Sequence, residues 1–394
     1  MNILQINTRY IGGGGAAAIA NLLHKSINKQ DGINSRFLYG RGYSDDNKAI
    51  KIANEFESYI SAGATRIIGK ELNRSISTSI KKEIDNSDII HIHNLHGYYI
   101  DYESLINYIV EKKKKVIWTL HDTWGFTGRC AFTFGCDKWK YGCGNCRNLN
   151  IYPTTKRDLS DKLFIKKKEI FTKLDREKTI LVTPSIWLKR LVEESYLSKY
   201  RIEVINNGVE ESKFIDVDKE ILRRELDIPT NRKIVLFVAA DPNDERKGIK
   251  YILDIIKKVS DDFLFISIGK KINYQSDKFI QLGYISDRNK LYKVYSASDV
   301  FIIPSLDDNF PTTVLEAFAN GVPVVGFDSG GIKEQIIEGV NGEIVYKRKD
   351  TEIINSLNKV IKDNTLSTKK KIIDEFNKKY TQTIFVNKNL KLYE

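Results

Sequence analysis

The chain has 394 residues, 41% of them hydrophobic, and a formal net charge of +12 at pH 7. This length exceeds one ordinary domain and predicts two domains of roughly 200 residues, each with its own core. No run approaches the ~18 apolar residues of a membrane span, and the first residues lack a basic-then-apolar signal, so we expect a cytoplasmic protein.

The positive charge is concentrated in the first half of the chain. Residues 1–200 hold 32 Lys and Arg against 21 Asp and Glu, whereas the remainder is nearly balanced. The basic runs at 112–115 and 166–168 predict contact with the anionic inner face of a membrane. An equally good alternative is a Lys-rich composition that only keeps the protein soluble. Apolar residues interleave with the second run, at Leu163, Phe164, Ile165, Ile170, Phe171 and Leu174. No motif typical of a nucleic-acid reader is evident, so we expect no nucleic-acid partner.

Short apolar runs alternate with helical stretches along the whole chain. The predicted strands lie at 3–6, 89–92, 116–120, 180–183, 234–238, 263–268, 300–303 and 322–327. This alternation is typical of parallel sheets covered by helices, so we predict an α/β fold with two Rossmann-like domains, at 1–207 and 208–380. Because ligands bind beyond the carboxyl ends of parallel strands, we expect the site in a cleft between these domains.

A glycine loop at 12–15 follows the first predicted strand and precedes a helix at 16–23. Here Gly14 and Gly15 leave backbone N–H groups free and let a ligand approach closely. A dinucleotide site or a simple turn is the alternative. The dinucleotide pattern is met only loosely, because the acidic residue expected after the second strand is absent from SRFLYGRG.

Histidines cluster near two predicted strands. His121 ends the strand in VIWTLHD, where a core histidine is the common explanation. The run HIHNLH could suggest a metal site, but alternation places His91 and His93 on one strand face and His96 beyond it. We therefore interpret these three residues as polar groups of a binding site.

All four cysteines lie within 17 residues, at Cys130, Cys136, Cys143 and Cys146. The last two have the spacing of a zinc knuckle, so a structural zinc site is predicted, with two disulfides or free thiols as open alternatives. The surrounding loop at 128–150 and its approach carry aromatic residues that either line an acceptor site or form a small local core: Trp124, Phe126, Phe132, Phe134, Trp139 and Tyr141.

Two cations follow the strand at 234–238. Arg246 and Lys247 precede Gly248 and a helical stretch, an arrangement that suits a diphosphate. A solvated turn is the alternative.

The segment 308–331 reads DNFPTTVLEAFANGVPVVGFDSGG and carries two carboxylates. Asp308 falls in the loop after the strand at 300–303, and Glu316 lies about one turn into a helix that begins near Pro311 or Thr312. Both could face one site, with Asp307 as a rival to Asp308. A carboxylate that only stabilises the helix amino terminus is the alternative, although Thr312 or Thr313 is expected to cap this helix.

A second glycine turn follows the strand at 322–327. Residues 328–331 include Gly330 and open a further helix, whose free N–H groups suit an anion.

Together and in this order, these motifs resemble the retaining GT-B glycosyltransferases of family 4, the group 1 glycosyl transferases. The resemblance rests on the glycine loop, TLHD at 119–122, INNGV at 205–209, ERKG at 245–248 and the segment 308–331. The family has Glu at the position of Asp308. It also has a Gly-Arg pair where this chain has Ala239 and Ala240, so Arg246 is expected to supply the missing charge.

The resemblance implies a role for each matching residue. His121 would lie near the donor sugar and stabilise positive charge at the anomeric carbon, with Asp122 orienting it or the acceptor. Asp308 would contact hydroxyls of the transferred sugar, Glu316 the ribose hydroxyls, and Lys247 the diphosphate. Further donor contacts are expected at Gly14, Gly15, Arg246, Asn309, Phe310, Pro311, Thr312 and Gly330. The last helix, at 381–394, would pack back on the first domain.

The activity implied is retaining transfer of a sugar without a catalytic cofactor, from a nucleotide-sugar with UDP favoured over GDP. The acceptor would be a glycan, lipid-linked, in surface polysaccharide assembly. The alternatives are a nucleotide-sugar epimerase of the same fold and a non-catalytic basic protein that binds a membrane or nucleic acid.

Overall fold

The structure is a computed structural model that describes residues 1–147, 149–214 and 216–394. It divides into two compact units: unit 1 comprises Met1–Asn206 and Val386–Glu394, and unit 2 comprises Asn207–Phe385. This division lies one residue from the boundary placed by the sequence. The carboxy-terminal helix, expected as a whole with the first domain, is divided, since residues 382–385 belong to unit 2.

The described strands of unit 1 form one parallel sheet in the order β3-β2-β1-β4-β5-β6-β7. They are β1 Asn2–Arg9, β2 Asn34–Arg41, β3 Ala49–Lys51, β4 Ile89–Ile92, β5 Lys115–Thr119, β6 Thr179–Thr183 and β7 Arg201–Val204. The helices between them are α1 Gly14–Ile27, α2 Glu55–Ile68, α3 Thr78–Asp85, α4 Tyr102–Glu111, α5 Ser160–Phe171 and α6 Ile186–Glu193. Several begin at a side chain that caps the first turn, for example Asn54 before α2 and Asp101 before α4.

Unit 2 contains a second parallel sheet in the order β10-β9-β8-β11-β12-β13. Its strands are β8 Lys233–Val238, β9 Phe263–Ile268, β10 Phe279–Gly283, β11 Val300–Ile303, β12 Val324–Phe327 and β13 Gly342–Val345. Its helices are α7 Lys219–Glu225, α8 Ile249–Ile256, α9 Arg288–Ala297, α10 Thr312–Ala319, α11 Ile332–Gln335, α12 Asp350–Asp363 and α13 Leu366–Lys379, and α14 Gln382–Tyr393 leads into unit 1.

The sheet of unit 2 is covered on both faces. Along β8, Ile234 and Leu236 pack into one apolar cluster, and the alternate residues Val235 and Phe237 pack into another. Because side chains of a strand alternate between faces, two clusters on alternate residues define helix–sheet–helix layers. The α/β fold with two parallel sheets is therefore confirmed.

Each sheet has a position where the strand order reverses, between β1 and β4 in unit 1 and between β8 and β11 in unit 2. Ligands of open parallel sheets bind at the carboxyl ends of strands beside such a reversal. The glycine loop follows β1, the cationic segment follows β8, and Asp308 follows β11. The topology thus places the glycine loop, the cationic segment and Asp308 at these two reversals, whereas His121 follows β5 and Gly330 follows β12.

The interleaved pattern predicted that helix α5 presents its apolar residues to a membrane. The structure contradicts this prediction. The α5 side chains Phe164, Ile170 and Phe171 are buried in the core of unit 1, and Ile165 is exposed. Lys167 of the basic run is itself buried, and its Nζ donates to the carbonyl oxygens of Trp124 (2.8 Å) and Thr127 (3.2 Å). The reason is that the core of unit 1 buries the apolar residues that a membrane-binding helix would expose.

Within the described residues, no helix is long and apolar enough to cross a membrane.

Candidate active site

The centre of the predicted donor site in unit 2 is the side chain of Asp308. Its Oδ2 accepts a hydrogen bond from Lys247 Nζ at 2.7 Å and one from Arg246 Nη1 at 3.2 Å. Burial alone would raise the pKa of Asp308, but the two cations outweigh burial and hold its pKa below the usual value. The structure therefore brings together the three residues that were expected to meet the diphosphate and the transferred sugar.

The two cations sit in a short 3-10 turn, Glu245–Lys247, which Asp244 caps. Arg246 also donates to the backbone oxygen of Asp307 (3.2 Å) and to Asp244 Oδ2 (3.2 Å). Gly248 ends the turn with φ +71, and a Cβ there would lie 2.0 Å from the oxygen of Pro304. This close approach, which only glycine allows, seats the cationic turn against the loop after β11.

Gly330 approaches the backbone of Asp308 in the same way. It has φ +54, and a Cβ at this position would lie 1.9 Å from Asp308 O. The next N–H, that of Gly331, donates to this oxygen at 3.0 Å. The helix that follows has four residues, Ile332–Gln335. One of the N–H groups expected to bind an anion is therefore used to hold the loop of Asp308.

Glu316 lies on α10, partly buried, and its Oε2 accepts a hydrogen bond from Tyr295 OH at 3.1 Å. Burial raises the pKa of Glu316 to about 7, and Arg288 and the Tyr295 hydrogen bond offset this effect only in part. The helix begins after Pro311 with no side-chain cap, so the expectation that Thr312 or Thr313 caps it is wrong. The N-cap position is occupied by Pro311, whose side chain has no acceptor for the free N–H groups of the first turn.

Hydrogen bonds from distant residues hold the loop between Asp308 and α10. Asn207 Nδ2 donates to Phe310 O (2.9 Å), and Gln335 Nε2 donates to Pro311 O (3.1 Å). Asn309, Phe310 and Pro311 are buried, and Thr312 is partly buried. These residues shape the loop at the carboxyl end of β11.

In unit 1, His121 follows β5 and is partly exposed. Its Nε2 lies 3.0 Å from His93 Nδ1, and the ring of His93 stacks on His91 with centroids 4.4 Å apart. Burial lowers the pKa of His91 to about 3 and of His121 to about 4, and it lowers the pKa of His93 well below the usual value. All three rings are therefore neutral at pH 7.

The side-chain amide of Gln5, in the middle of β1, lies 3.1 Å from His93 Nε2. This amide is satisfied when Nε2 faces His93 Nε2 (3.1 Å) and Oε1 accepts from Ser35 Oγ (3.3 Å). His93 Nε2 then accepts, so His93 Nδ1 carries the proton and donates to His121 Nε2. A neutral His121 in this arrangement carries its own proton on Nδ1. The sequence analysis missed Gln5, for which the signal was a polar residue inside an apolar strand.

The carboxylate of Asp122 contacts two residues that the sequence analysis did not name as its partners, His96 and Trp124. Its Oδ2 lies 2.8 Å from His96 Nε2, and its Oδ1 accepts from the backbone N–H of Trp124 at 2.9 Å. His96 Nδ1 in turn lies 3.2 Å from Tyr152 OH. The carboxylate of Asp122 thus faces the loop after β4, which carries His96.

A residue at the far end of the chain also belongs to this cluster. Tyr393 OH lies 2.7 Å from His91 Nδ1, and Thr119 Oγ1 lies 2.8 Å from His91 Nε2. Both are contacts within unit 1, whose last segment is Val386–Glu394. Spacing along the sequence carries no signal for a contact over this distance.

The glycine loop opens α1, which begins at Gly14, two residues earlier than predicted. Gly14 and Gly15 are exposed, and Gly14 has φ +73. A Cβ at Gly13 would lie 2.7 Å from that of Ala17, so this turn requires glycine. The geometry leaves the first turn of α1 open to a ligand.

The four cysteines are free thiols, so the alternative of two disulfides is not realised. Cys143 Sγ accepts from Gly128 N at 3.1 Å, and its pKa is raised by burial. A thiol–thiol hydrogen bond with Cys146, together with burial, raises the pKa of Cys130, and Cys136 is exposed. In the described part of the chain no group of three or more Cys, His, Asp or Glu is placed to hold a metal ion. Zinc stays a prediction, which metal analysis of the purified protein tests.

The aromatic residues near this loop differ in exposure. Trp124, Phe126 and Trp139 are buried in the core of unit 1, whereas Phe134 and Tyr141 are exposed. Half of the set therefore belongs to the core of unit 1.

Comparison with known proteins agrees with this architecture. Residues 218–379 match the family described as glycosyl transferases group 1. WcaC of Escherichia coli (strain K12), whose name assigns it as a glycosyl transferase of colanic acid biosynthesis, is 27% identical over 90% of this chain and 89% of its own. The UDP-Gal:alpha-D-GlcNAc-diphosphoundecaprenol alpha-1,3-galactosyltransferase of Escherichia coli is 26% identical over 47% of this chain and 53% of its own.

Two solved structures share the fold over the whole chain. Sucrose-phosphate synthase from Thermosynechococcus elongatus has a TM-score of 0.71 and 14% identity, covering 100% of this chain and 98% of its own. HepE of Anabaena in complex with UDP-glucose has a TM-score of 0.67 and 14% identity, covering 100% and 99%. The protein is thus an enzyme with the GT-B fold. Its residues 218–379 match the group 1 glycosyl transferases, and the relatives compared above are named as glycosyl transferases.

Proposed function

We propose that this glycosyltransferase moves a sugar from UDP to a lipid-linked glycan acceptor in surface polysaccharide biosynthesis, with retention of the anomeric configuration and without a metal. The observation that carries the donor half is the arrangement in unit 2. There Lys247 and Arg246 converge on Asp308, and Glu316 lies on the helix that follows the same loop.

The chemistry assigned to these residues follows from charge. When the bond between the anomeric carbon and the diphosphate oxygen breaks, the leaving UDP gains negative charge, which Lys247 and Arg246 stabilise. Asp308, held ionised by the same two cations, accepts hydrogen bonds from hydroxyls of the sugar. Glu316 accepts them from the ribose.

The acceptor hydroxyl attacks the anomeric carbon on the face that UDP leaves, and its proton passes to the departing phosphate oxygen. His121 is neutral at pH 7, so we assign it a hydrogen bond to the sugar and not the role of a cationic acid. The named activities of the two Escherichia coli relatives support a polysaccharide product and a diphospholipid acceptor.

A thermal-shift panel of UDP, GDP, ADP and NAD tests the donor half. A nucleotide at about a hundred times its Kd adds roughly 2.7 kcal/mol, which raises the melting temperature by several degrees. We expect the shift with UDP, and we expect Lys247→Ala to reduce it. Lys359→Ala is the matched control, because Lys359 forms an ion pair with Glu343 at 2.7 Å, the distance of the Lys247–Asp308 pair.

The outcomes separate the readings. A thermal shift with GDP alone would show that the donor nucleotide is GDP and not UDP. A shift with NAD alone, or no shift with any of the four nucleotides, would refute the donor site. Incubation of UDP-sugars with membrane lipid extracts then tests transfer. Epimerised sugar nucleotide without a glycolipid product would point to the epimerase.

A further inference from the structure

Helix α2 of unit 1 exposes its apolar face and buries its polar one. The exposed side chains are Phe56 (69%), Tyr59 (60%), Ile60 (49%) and Ile67 (67%). Spacings of three, four and seven residues place them along one stripe of the helix. A surface helix of a globular protein has the opposite arrangement, so this stripe marks a site where α2 meets something apolar.

Hydrogen bonds hold α2 in this orientation. The buried residues are Ser58, Ser61 and Thr65. Ser61 Oγ accepts from the N–H of Leu72 (2.9 Å), and Thr65 Oγ1 donates to Ser61 O (2.9 Å). Arg66 O accepts from the N–H of Lys156 (2.7 Å). Several partners therefore specify which face of α2 turns inward.

The helix is followed by a segment of similar character. Leu72 is exposed, and Gly69, with φ +78, ends α2. A Cβ at Gly69 would lie 3.0 Å from Leu159 Cδ1, so the chain passes close to its neighbours where α2 ends.

Cations accompany the apolar stripe. Arg41 lies over the ring of Tyr59 at 5.2 Å, Arg66 is exposed on α2, and Lys70 is exposed directly after the helix. In the part of the chain that the structure describes, neither Arg66 nor Lys70 forms an ion pair with an acidic residue.

The carboxylates of α2 do have cationic partners. Glu55 pairs with Lys51 (2.9 Å), and Glu57 pairs with Arg74 (3.2 Å). The face as a whole is therefore apolar with a positive surplus.

We propose that α2 and the segment through Arg74 form a docking surface for an anionic lipid membrane, with α2 lying in the plane of the interface. Aromatic and aliphatic side chains flanked by Arg and Lys match the boundary between acyl chains and anionic head groups. A helix of 14 residues is about 21 Å long, which lets the whole stripe contact one leaflet. The choice of a membrane as the occupant rests on the proposed lipid-linked acceptor.

The test is co-sedimentation of the full-length protein with vesicles of phosphatidylcholine, alone or with about a third phosphatidylglycerol. We expect binding to the anionic vesicles that weakens as salt rises. The double variant Ile60→Ser, Ile67→Ser should lower the partition coefficient on the order of a hundredfold, since each buried aliphatic side chain contributes about tenfold or more. Arg66→Gln with Lys70→Gln should remove the preference for the anionic lipid.

Matched controls locate the surface. Ile221→Ser in unit 2 removes an isoleucine that is 49% exposed, the same fraction as Ile60, and should leave binding unchanged. Ile165→Ser removes an exposed isoleucine of α5, beside the basic run at 166–168, and should also leave binding unchanged. Loss of binding in the Ile165 variant alone, or full binding by the double α2 variant, would overturn the proposal.

Two further measurements complete the design. Light scattering of the wild type without lipid detects self-association, and a dimer that the α2 variant dissolves would assign the surface to a second copy of the chain. The UDP-induced thermal shift should be the same in the α2 variant and the wild type. If UDP raises the melting temperature of the wild type but the protein does not bind vesicles, the docking surface is refuted and the proposed function is not affected.

Discussion

Glu316 makes the stability of unit 2 depend on pH. Its pKa in the folded protein is about 7 because it is buried, against an ordinary value of 4.5. A carboxyl group with a raised pKa stabilises the fold below its unfolded pKa, and this contribution is lost as the pH rises through the folded pKa. Each pKa unit corresponds to 1.36 kcal/mol, so ionising Glu316 costs about 3 kcal/mol between pH 4.5 and pH 8.

The variant Glu316→Gln isolates this contribution, because glutamine imitates the neutral acid at every pH. Near pH 5 the two proteins should have similar stability. By pH 8.5 the variant should be more stable by about 3 kcal/mol, which raises its melting temperature by roughly 6 °C or more for a unit of this size. Scanning calorimetry without ligand at five pH values measures the difference directly.

UDP should act in the opposite direction. Ribose hydroxyls donate to the ionised carboxylate, so the affinity of the wild type for UDP should fall about tenfold from pH 8 to pH 6, as the ionised fraction falls. The variant should bind UDP more weakly and lack this additional pH dependence. A stability difference that stays constant from pH 5 to pH 8.5 would refute the raised pKa, and equal UDP affinities would refute the ribose contact.

Three other changes should have defined effects. His93→Leu removes the partner of His121 in a buried site, so it should lower the free energy of unfolding by about 2–4 kcal/mol. It should also reduce sugar transfer, while the UDP-induced thermal shift persists. A urea unfolding curve equal to that of the wild type would contradict this prediction. Gly330→Ala forces a methyl group into the adjacent backbone and should cost roughly 3 kcal/mol or more and abolish the UDP shift, whereas Gly339→Ala, with φ +75 and open space, should cost about 1–2 kcal/mol. Burial lowers the pKa of Lys167 to about 7. From pH 7 toward pH 10 the wild type should therefore gain up to about 1.4 kcal/mol of stability per pH unit relative to Lys167→Met. Parallel curves of stability against pH for the two proteins would exclude this effect.

Local patterns predicted the elements and the order of the site residues well. Apolar runs of four or five residues marked β4, β8 and β11, and turn residues marked the loops that follow them. Strand formation and turn chemistry depend on residues close in the chain, which is why these local patterns were sufficient. The parallel topology then brought Lys247 and Asp308 to one edge of the sheet, since both follow adjacent strands.

The same patterns misjudged which side chains would be available. The apolar residues of α5 and those of α2 look alike in the sequence, yet Phe164 and Phe171 are buried and Phe56 is exposed. Which face of a helix is buried depends on what the sheet and the neighbouring loops place against it, and these contacts join residues far apart in the chain.

The sequence by itself determined that the protein has two parallel α/β sheets and where along the chain its cations, carboxylates and glycine turns lie. Only the tertiary structure decided their partners: Asp122 with His96, His121 with His93, and Lys247 with Asp308. It also decided their charge states, because the pKa of a carboxyl or imidazole group depends on how much water the rest of the fold removes from around it.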